Sequence, residues 1–249
     1  MYERFCPCRR PYGFAADNKR LAVFLNKERS AVEVVNDKND EIAAFYRYVQ
    51  HHCDSLLAEI DGYLHSRETF NKFLNNPGHT ELQKVARWYI LKVTSFSGFG
   101  QAYGRDKDSF RGVSRDRHYP LIKELKDRLA AAYIENKDWE DVVKFFDKEG
   151  SFTYFDPPYV TGDSGTYEPF TPFDMQRLRN RLDVMKGKWL LSCDNSPDCR
   201  DIFCGLKQVV IPIKYSAGAM SVDREEKSEL LVMSDDIIIP HGYDKILKK

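Results

Sequence analysis

Short β-branched runs mark both ends of the chain, and helical spacing of apolar positions dominates the stretch between them. Residues 31–35 (Ala-Val-Glu-Val-Val) form a β-branched run that stops at Asn36-Asp37, and residues 41–49 carry apolar positions on one helical face. That order predicts strand, turn, helix. Helical spacing returns over Glu81–Thr94 and over 121–136. Between them, residues 95–120 are rich in Gly, Ser and charge and predict a long loop. A loop of that length within a compact domain is uncommon and commonly functional.

Downstream, residues 151–155 alternate like a strand and run directly into Asp156-Pro157-Pro158-Tyr159. Thr171, Pro172 and Asp174 are spaced as cap, first helical residue and capping-box acid of a helix. Residues 188–192, 209–214 and 229–233 predict further strands, and 197–206 a short helix. The pattern predicts an α/β fold with an inserted, mainly helical region, the α/β part drawn from 1–50 and 150–249 and the insert from 51–149.

With 249 residues, 42% of them apolar, the chain can bury a sizeable core, which excludes a disordered tail. No apolar run reaches the roughly 18 residues a membrane-spanning helix needs, and the N-terminus lacks the pattern of a secretory signal. A soluble protein of a reducing cytoplasm is therefore expected. The six cysteines (6, 8, 53, 193, 199 and 204) lack paired CxxC spacing, so no metal site is expected and the thiols are read as small hydrophobes. The 38 basic and 38 acidic residues cancel, which excludes binding to nucleic acid through bulk charge. Locally the balance differs: residues 84–128 hold eleven Lys and Arg against five Asp and Glu.

Two prolines directly after a strand force the chain out of the sheet, because neither has an N–H for the ladder. Asp156 is thereby expected at a strand's carboxyl end, where open α/β sheets bind ligands. A carboxylate beside a rigid backbone carbonyl is a double acceptor suited to a group with two N–H donors, such as an exocyclic amine, and Tyr159 offers a flat face on which a base can stack.

These residues resemble the catalytic motif of the Dam-type (class D12) DNA adenine-N6 methyltransferases. The resemblance continues in chain order through Val34-Val35-Asn36-Asp37 and Asn39, Arg87-Trp88-Tyr89, Thr94-Ser95-Phe96-Ser97-Gly98, the Asp-Pro-Pro-Tyr segment, Phe170-Thr171, Leu191-Ser192-Cys193-Asp194-Asn195 and Glu229-Leu230-Leu231-Val232. It implies a Rossmann-like S-adenosylmethionine-dependent methyltransferase sheet with an inserted DNA-recognition domain. It also implies methyl transfer from S-adenosylmethionine to an adenine flipped out of double-stranded DNA. Asp156 and the Pro157 carbonyl would hold the amine, with Pro158 completing the motif and Tyr159 stacking on the base. Phe5, Asp37 and Asp156 would bind the cofactor, Asp37 through its ribose hydroxyls. Phe96, Ser97 and Gly98 would enter the DNA, with Gln101, Arg105, Arg111 and Arg115 as base or phosphate contacts. A cognate restriction endonuclease is the further partner implied.

The first strand departs from the family pattern, which begins with Gly-Gly-Lys and a Phe-x-Gly-x-Gly turn. Here residues 6–21 follow Phe5 with a single glycine, two prolines and the bulky Arg9-Arg10 pair, a poor mimic of a turn that must admit a ligand against its backbone. Weak or absent cofactor binding is therefore expected. Two other readings stay open: a DNA-binding remnant without catalysis, and an amino-methyltransferase acting on cytosine N4 or on RNA.

Overall fold

The computed structural model describes residues 24, 27–98, 100–105, 107, 110, 112–158, 170–212 and 228–238. Among them the order is β1 (Glu33–Asn36), α1 (Asp40–Asp61), α2 (Arg67–Asn75), α3 (Glu81–Thr94), a 3-10 turn (Phe96–Gly98), α4 (Arg115–Leu129), β2 (Ala132–Glu135), α5 (Trp139–Phe146), β3 (Phe152–Phe155), α6 (Pro172–Leu182), β4 (Lys188–Asp194), α7 (Pro197–Ile202), β5 (Lys207–Pro212) and β6 (Ser228–Met233). The fold is mixed α/β. It divides into two compact units, within Cys8–Val142 and Val143–Lys249, the division falling in α5. No helix of the described residues is long and apolar enough to cross a membrane.

In the first unit β1 and β2 pair in parallel, with Val35 opposite Ile134. Asn39 caps α1 by accepting from the N–H groups of Glu41 (2.9 Å) and Ile42 (3.2 Å), and Asp40 and Glu41 suit the positive end of the helix dipole. The helix expected over 41–49 continues to Asp61 through a kink at His52. It buries Phe45, Val49, Leu56 and Ile60 in one core with Tyr89 of α3 and Ile122, Leu125 and Leu129 of α4. Phe45 and Tyr89 stack with centroids 5.3 Å apart.

Two sequence expectations fail here. The helix expected over 121–136 begins at Arg115 and stops at Leu129, so the loop expected over 95–120 is shorter and Pro120 lies inside α4. Ser114 caps this earlier start by accepting from Arg117 N–H at 3.3 Å, and burial of His118, Ile122, Leu125 and Leu129 outweighs the proline's missing donor. The remaining stretch becomes β2, because pairing with the distant β1 overrides its local helical pattern.

The second unit holds a sheet of order β3-β4-β6-β5, with β3 and β4 parallel and β6 antiparallel to both its neighbours. Parallel β3 and β4 need a crossover, which includes α6. Thr171 and Asp174 form the expected capping box at its start, and Met175, Leu178 and Leu182 are its buried face. Asp147 sets the β3–β4 register: its carboxylate accepts from the N–H groups of Lys186 (3.0 Å) and Gly187 (2.9 Å), and Lys188 N–H then reaches Ser151 O at 2.8 Å. The ladder runs from Phe152 opposite Lys188 to Phe155 opposite Leu191.

Candidate active site

Asp156, Pro157 and Pro158 follow β3 at its carboxyl end, where the ladder with β4 has just closed. All three are half-buried. Tyr159 lies outside the described residues. Beside this turn the end of β4 is heavily bonded. Cys193 is buried and donates weakly to Leu230 O (3.7 Å), and Cys199 Sγ donates to Asp194 Oδ1 (3.4 Å). Asn195 Nδ2 reaches Ser228 Oγ at 2.7 Å, and Ser196 caps α7 through Cys199 N–H at 3.3 Å. The hydrogen bond with Cys199, burial, and the carboxylates of Asp194 and Asp156 all push the Cys193 thiol up. A protonated thiol is a poor nucleophile. No group of three or more His, Cys, Asp or Glu among the described residues could hold a metal ion.

In the first unit, Asp37 ends β1 in a buried position. Its Oδ1 accepts Asn39 N–H at 2.9 Å, which turns the chain into α1, and its own N–H reaches Glu135 O at 3.3 Å. Asn136 Nδ2 donates to Asp37 O at 2.9 Å. The carboxylate is thus held rigidly at the strand's end, beside the start of a helix whose dipole favours negative charge.

The stretch after α3 is a braced loop. Ser95 and Tyr103 form an antiparallel bridge. Phe96 N–H reaches Ala102 O at 2.7 Å, Gly104 N–H reaches Thr94 O at 2.8 Å, and Gly100 N–H reaches the buried Ser95 Oγ at 2.8 Å. Gly98 has φ 77°, a conformation that L side chains rarely adopt. Phe96 stands 55% exposed on this loop, so packing beneath it is not its role. Gly104 was not anticipated: a Cβ there would stand 2.9 Å from the Ser95 carbonyl carbon, so the loop closes only around glycine. Nothing in the sequence pattern distinguishes this glycine from others, since its constraint is made by a non-local backbone contact.

Gln101 is exposed within this loop and Arg105 just beyond it. Arg115 opens α4 and forms a two-pronged pair with Asp61, Nε to Oδ1 at 2.8 Å and Nη2 to Oδ2. Only the backbone of Ser97 is described, and Phe5, residues 6–21 and Arg111 lie outside the described residues. Asp156 and Asp37 belong to different units.

Comparison with known proteins adds two findings. The family model for D12 class N6 adenine-specific DNA methyltransferases matches residues 21–215. The chain is also similar to the Type II methyltransferase M.MjaIII of Methanocaldococcus jannaschii, with 24% identity over 220 residues, covering 72% of this chain and 71% of that protein.

Proposed function

The chain belongs to the D12 class N6 adenine-specific DNA methyltransferases, and from that premise we propose how its own residues methylate adenine. The observation that carries the reading is the position of Asp156-Pro157-Pro158 immediately beyond β3. The target N6 is paired and stacked in duplex DNA, so the adenine is flipped out to reach this turn. The Asp156 carboxylate and the Pro157 carbonyl accept the two amine hydrogens and direct the nitrogen lone pair away from the ring. Pro158 fixes the turn, and Tyr159 stacks on the base. One amine proton leaves once the nitrogen carries its new bond. Alignment and electrostatics supply most of the rate, so no strong general base is required.

Bound S-adenosylmethionine supplies an electrophilic methyl group. Asp37 fits its ribose: the carboxylate is acceptor-only, buried and held in place by Asn39 N–H. Phe5 is assigned to the same cofactor by family position alone. Phe96, with Ser97 and Gly98, enters the DNA, and the exposure of Phe96 on a braced loop supports that role. Gln101, Arg105, Arg111 and Arg115 contact bases and phosphates.

The fold on this reading is a Rossmann-like methyltransferase with its target-recognition part within 51–149. The protein works in the cytoplasm, and likeness to a Type II methyltransferase supports pairing with a cognate restriction endonuclease.

Transfer of labelled methyl groups to unmethylated duplex DNA tests the reading, with N6-methyladenine identified in the hydrolysed product. Asp156→Ala is expected to lower transfer by roughly 10²–10³-fold or more. An Asp156→Ala protein that transfers at the wild-type rate would overturn the assignment.

A further inference from the structure

We propose that Ser192 contacts the flipped adenine, its hydroxyl donating to a ring nitrogen beside the N6 amine. The inference rests on the reading that Asp156 and Pro157 hold that amine. Ser192 is 1% exposed, and its Oγ has no hydrogen-bond partner among the described residues. A buried hydroxyl without a partner is destabilising, so its persistence calls for a use. The polar side chains that follow it are all engaged: Cys193 with Leu230 O, Asp194 with Cys199, Asn195 with Ser228 and Ser196 with Cys199 N–H. Ser192 is the exception in this run.

Its place gives the use. The β3–β4 ladder ends with Phe155 opposite Leu191, and Asp156 and Ser192 are the residues that directly follow that last pair on the two strands. Side chains alternate along a strand, so Ser192 shares a face with Leu190, which packs with Tyr154 of β3, while Leu191 and Cys193 face the other way. The next position on the Tyr154 face of β3 is Asp156 itself. A base whose amine meets Asp156 brings the ring atoms flanking that amine toward Ser192. In adenine those flanks carry N1 and N7, both acceptors, and a serine hydroxyl rotates to donate to either. In guanine the amine is flanked by N1, which carries hydrogen, and by N3, an acceptor, so the acceptor pattern beside the amine differs from adenine's. Ser192 thereby adds a ring-nitrogen contact to a turn that otherwise recognises only an amine.

The test is Ser192→Ala, with Ser192→Thr restoring the hydroxyl. Two readouts separate this inference from the reading beneath it. The first is binding of 2′-deoxyadenosine and of its 1-deaza and 7-deaza analogues, followed by NMR titration, which needs no turnover. The second is kcat/KM for methyl transfer to duplex DNA. Ser192→Ala is expected to fold at least as stably as wild type, to bind 2′-deoxyadenosine several-fold more weakly, and to lose roughly 10- to 100-fold in kcat/KM. Ser192→Thr recovers binding. One of the two deaza analogues binds wild type and Ser192→Ala equally, which identifies the ring nitrogen. Equal binding of 2′-deoxyadenosine by both proteins overturns the inference, as does a deficit that persists unchanged on both analogues. Wild type that binds the nucleoside in a Ser192-dependent way but transfers no methyl group overturns the catalytic reading alone. Absence of any nucleoside binding overturns both.

Discussion

Two arginines on α4 each grip a carboxylate in a two-pronged pair, yet they do opposite things. Arg128 near the helix's C-terminal end is buried and holds Glu33 of β1, Nη2 to Oε1 at 2.6 Å and Nη1 to Oε2. Its Nε also donates to Phe24 O at 3.0 Å, its guanidinium lies 4.3 Å from the Phe24 ring centroid, and Lys27 reaches the same carboxylate at 2.5 Å. Arg115 at the other end pairs with Asp61 while its side chain stays 71% exposed. Burial makes the difference. The Arg128 pair has displaced its water and ties a helix to a strand, whereas the Arg115 pair stays hydrated and exchangeable. Helix dipoles sharpen the contrast: Arg128 sits at the favourable end of α4, but Arg115 and Asp61 each occupy the unfavourable end of their own helices. The exposed pair is therefore poorly placed to stabilise either helix. It is well placed to hold a cation in reserve.

Breaking the buried pair has the largest expected effect. Glu33→Ala leaves Arg128 charged and unpaired in the interior, which costs roughly 3–5 kcal/mol of unfolding free energy in chemical denaturation. Glu33→Ala combined with Arg128→Met removes both charges and is expected to recover much of that loss. A single variant as stable as wild type would mean that water reaches this pair and that the comparison with Arg115 is empty.

Acid probes the same pair more gently. Burial raises the Glu33 carboxyl, but hydrogen bonds from Arg128 and Lys27 outweigh it and bring it down to about 2 from 4.5. A carboxyl depressed in the folded state contributes stability that is fully present above its unfolded value. That contribution is lost as pH falls through the folded value. The stability gap between wild type and Glu33→Gln should hold above pH 4.5 and close on the way to about 2. A gap that stays constant over that window would show that the ionised carboxylate is not what stabilises the fold.

The same helix shows what the sequence could and could not convey. Local signals were readable wherever a side chain acts on its own neighbours. The Thr171–Asp174 capping box and the extent of α3 are set within a few residues, and the prolines after Asp156 end β3 by simple lack of donors. The start of α4 was hidden because Pro120 locally signals a break, while the packing that tolerates it comes from α1. β2 was hidden because the stretch after Leu129 continues an apolar helical pattern, and only β1, almost a hundred residues earlier in the chain, makes it a strand. At the candidate site, the motif at 156–158 and the carboxylate at 37 were legible as residue types in order. The constraint on Gly104 and the Ser192 hydroxyl, which has no partner among the described residues, were not, because each is defined by the absence of room or of a partner in three dimensions.

Removing the partner of the exposed arginine should have the smallest effect on folding and the more telling one on binding. The Arg115 hydrogen bonds hold the Asp61 carboxyl below its usual range, so Asp61 is ionised near neutral pH and cancels Arg115 as seen by an approaching phosphate. Asp61→Ala strips away that cancellation. Unfolding is expected to change far less than in Glu33→Ala, and the residual change should fade with added salt. DNA affinity at low salt is expected to rise several-fold, and the plot of log affinity against log salt to steepen by about 0.9, the mark of one more phosphate contact. Arg115→Ala should flatten the slope of the Asp61→Ala protein by the same amount. Slopes that coincide in all three proteins would remove Arg115 from the DNA interface and leave its pair with Asp61 as a surface contact between α1 and α4.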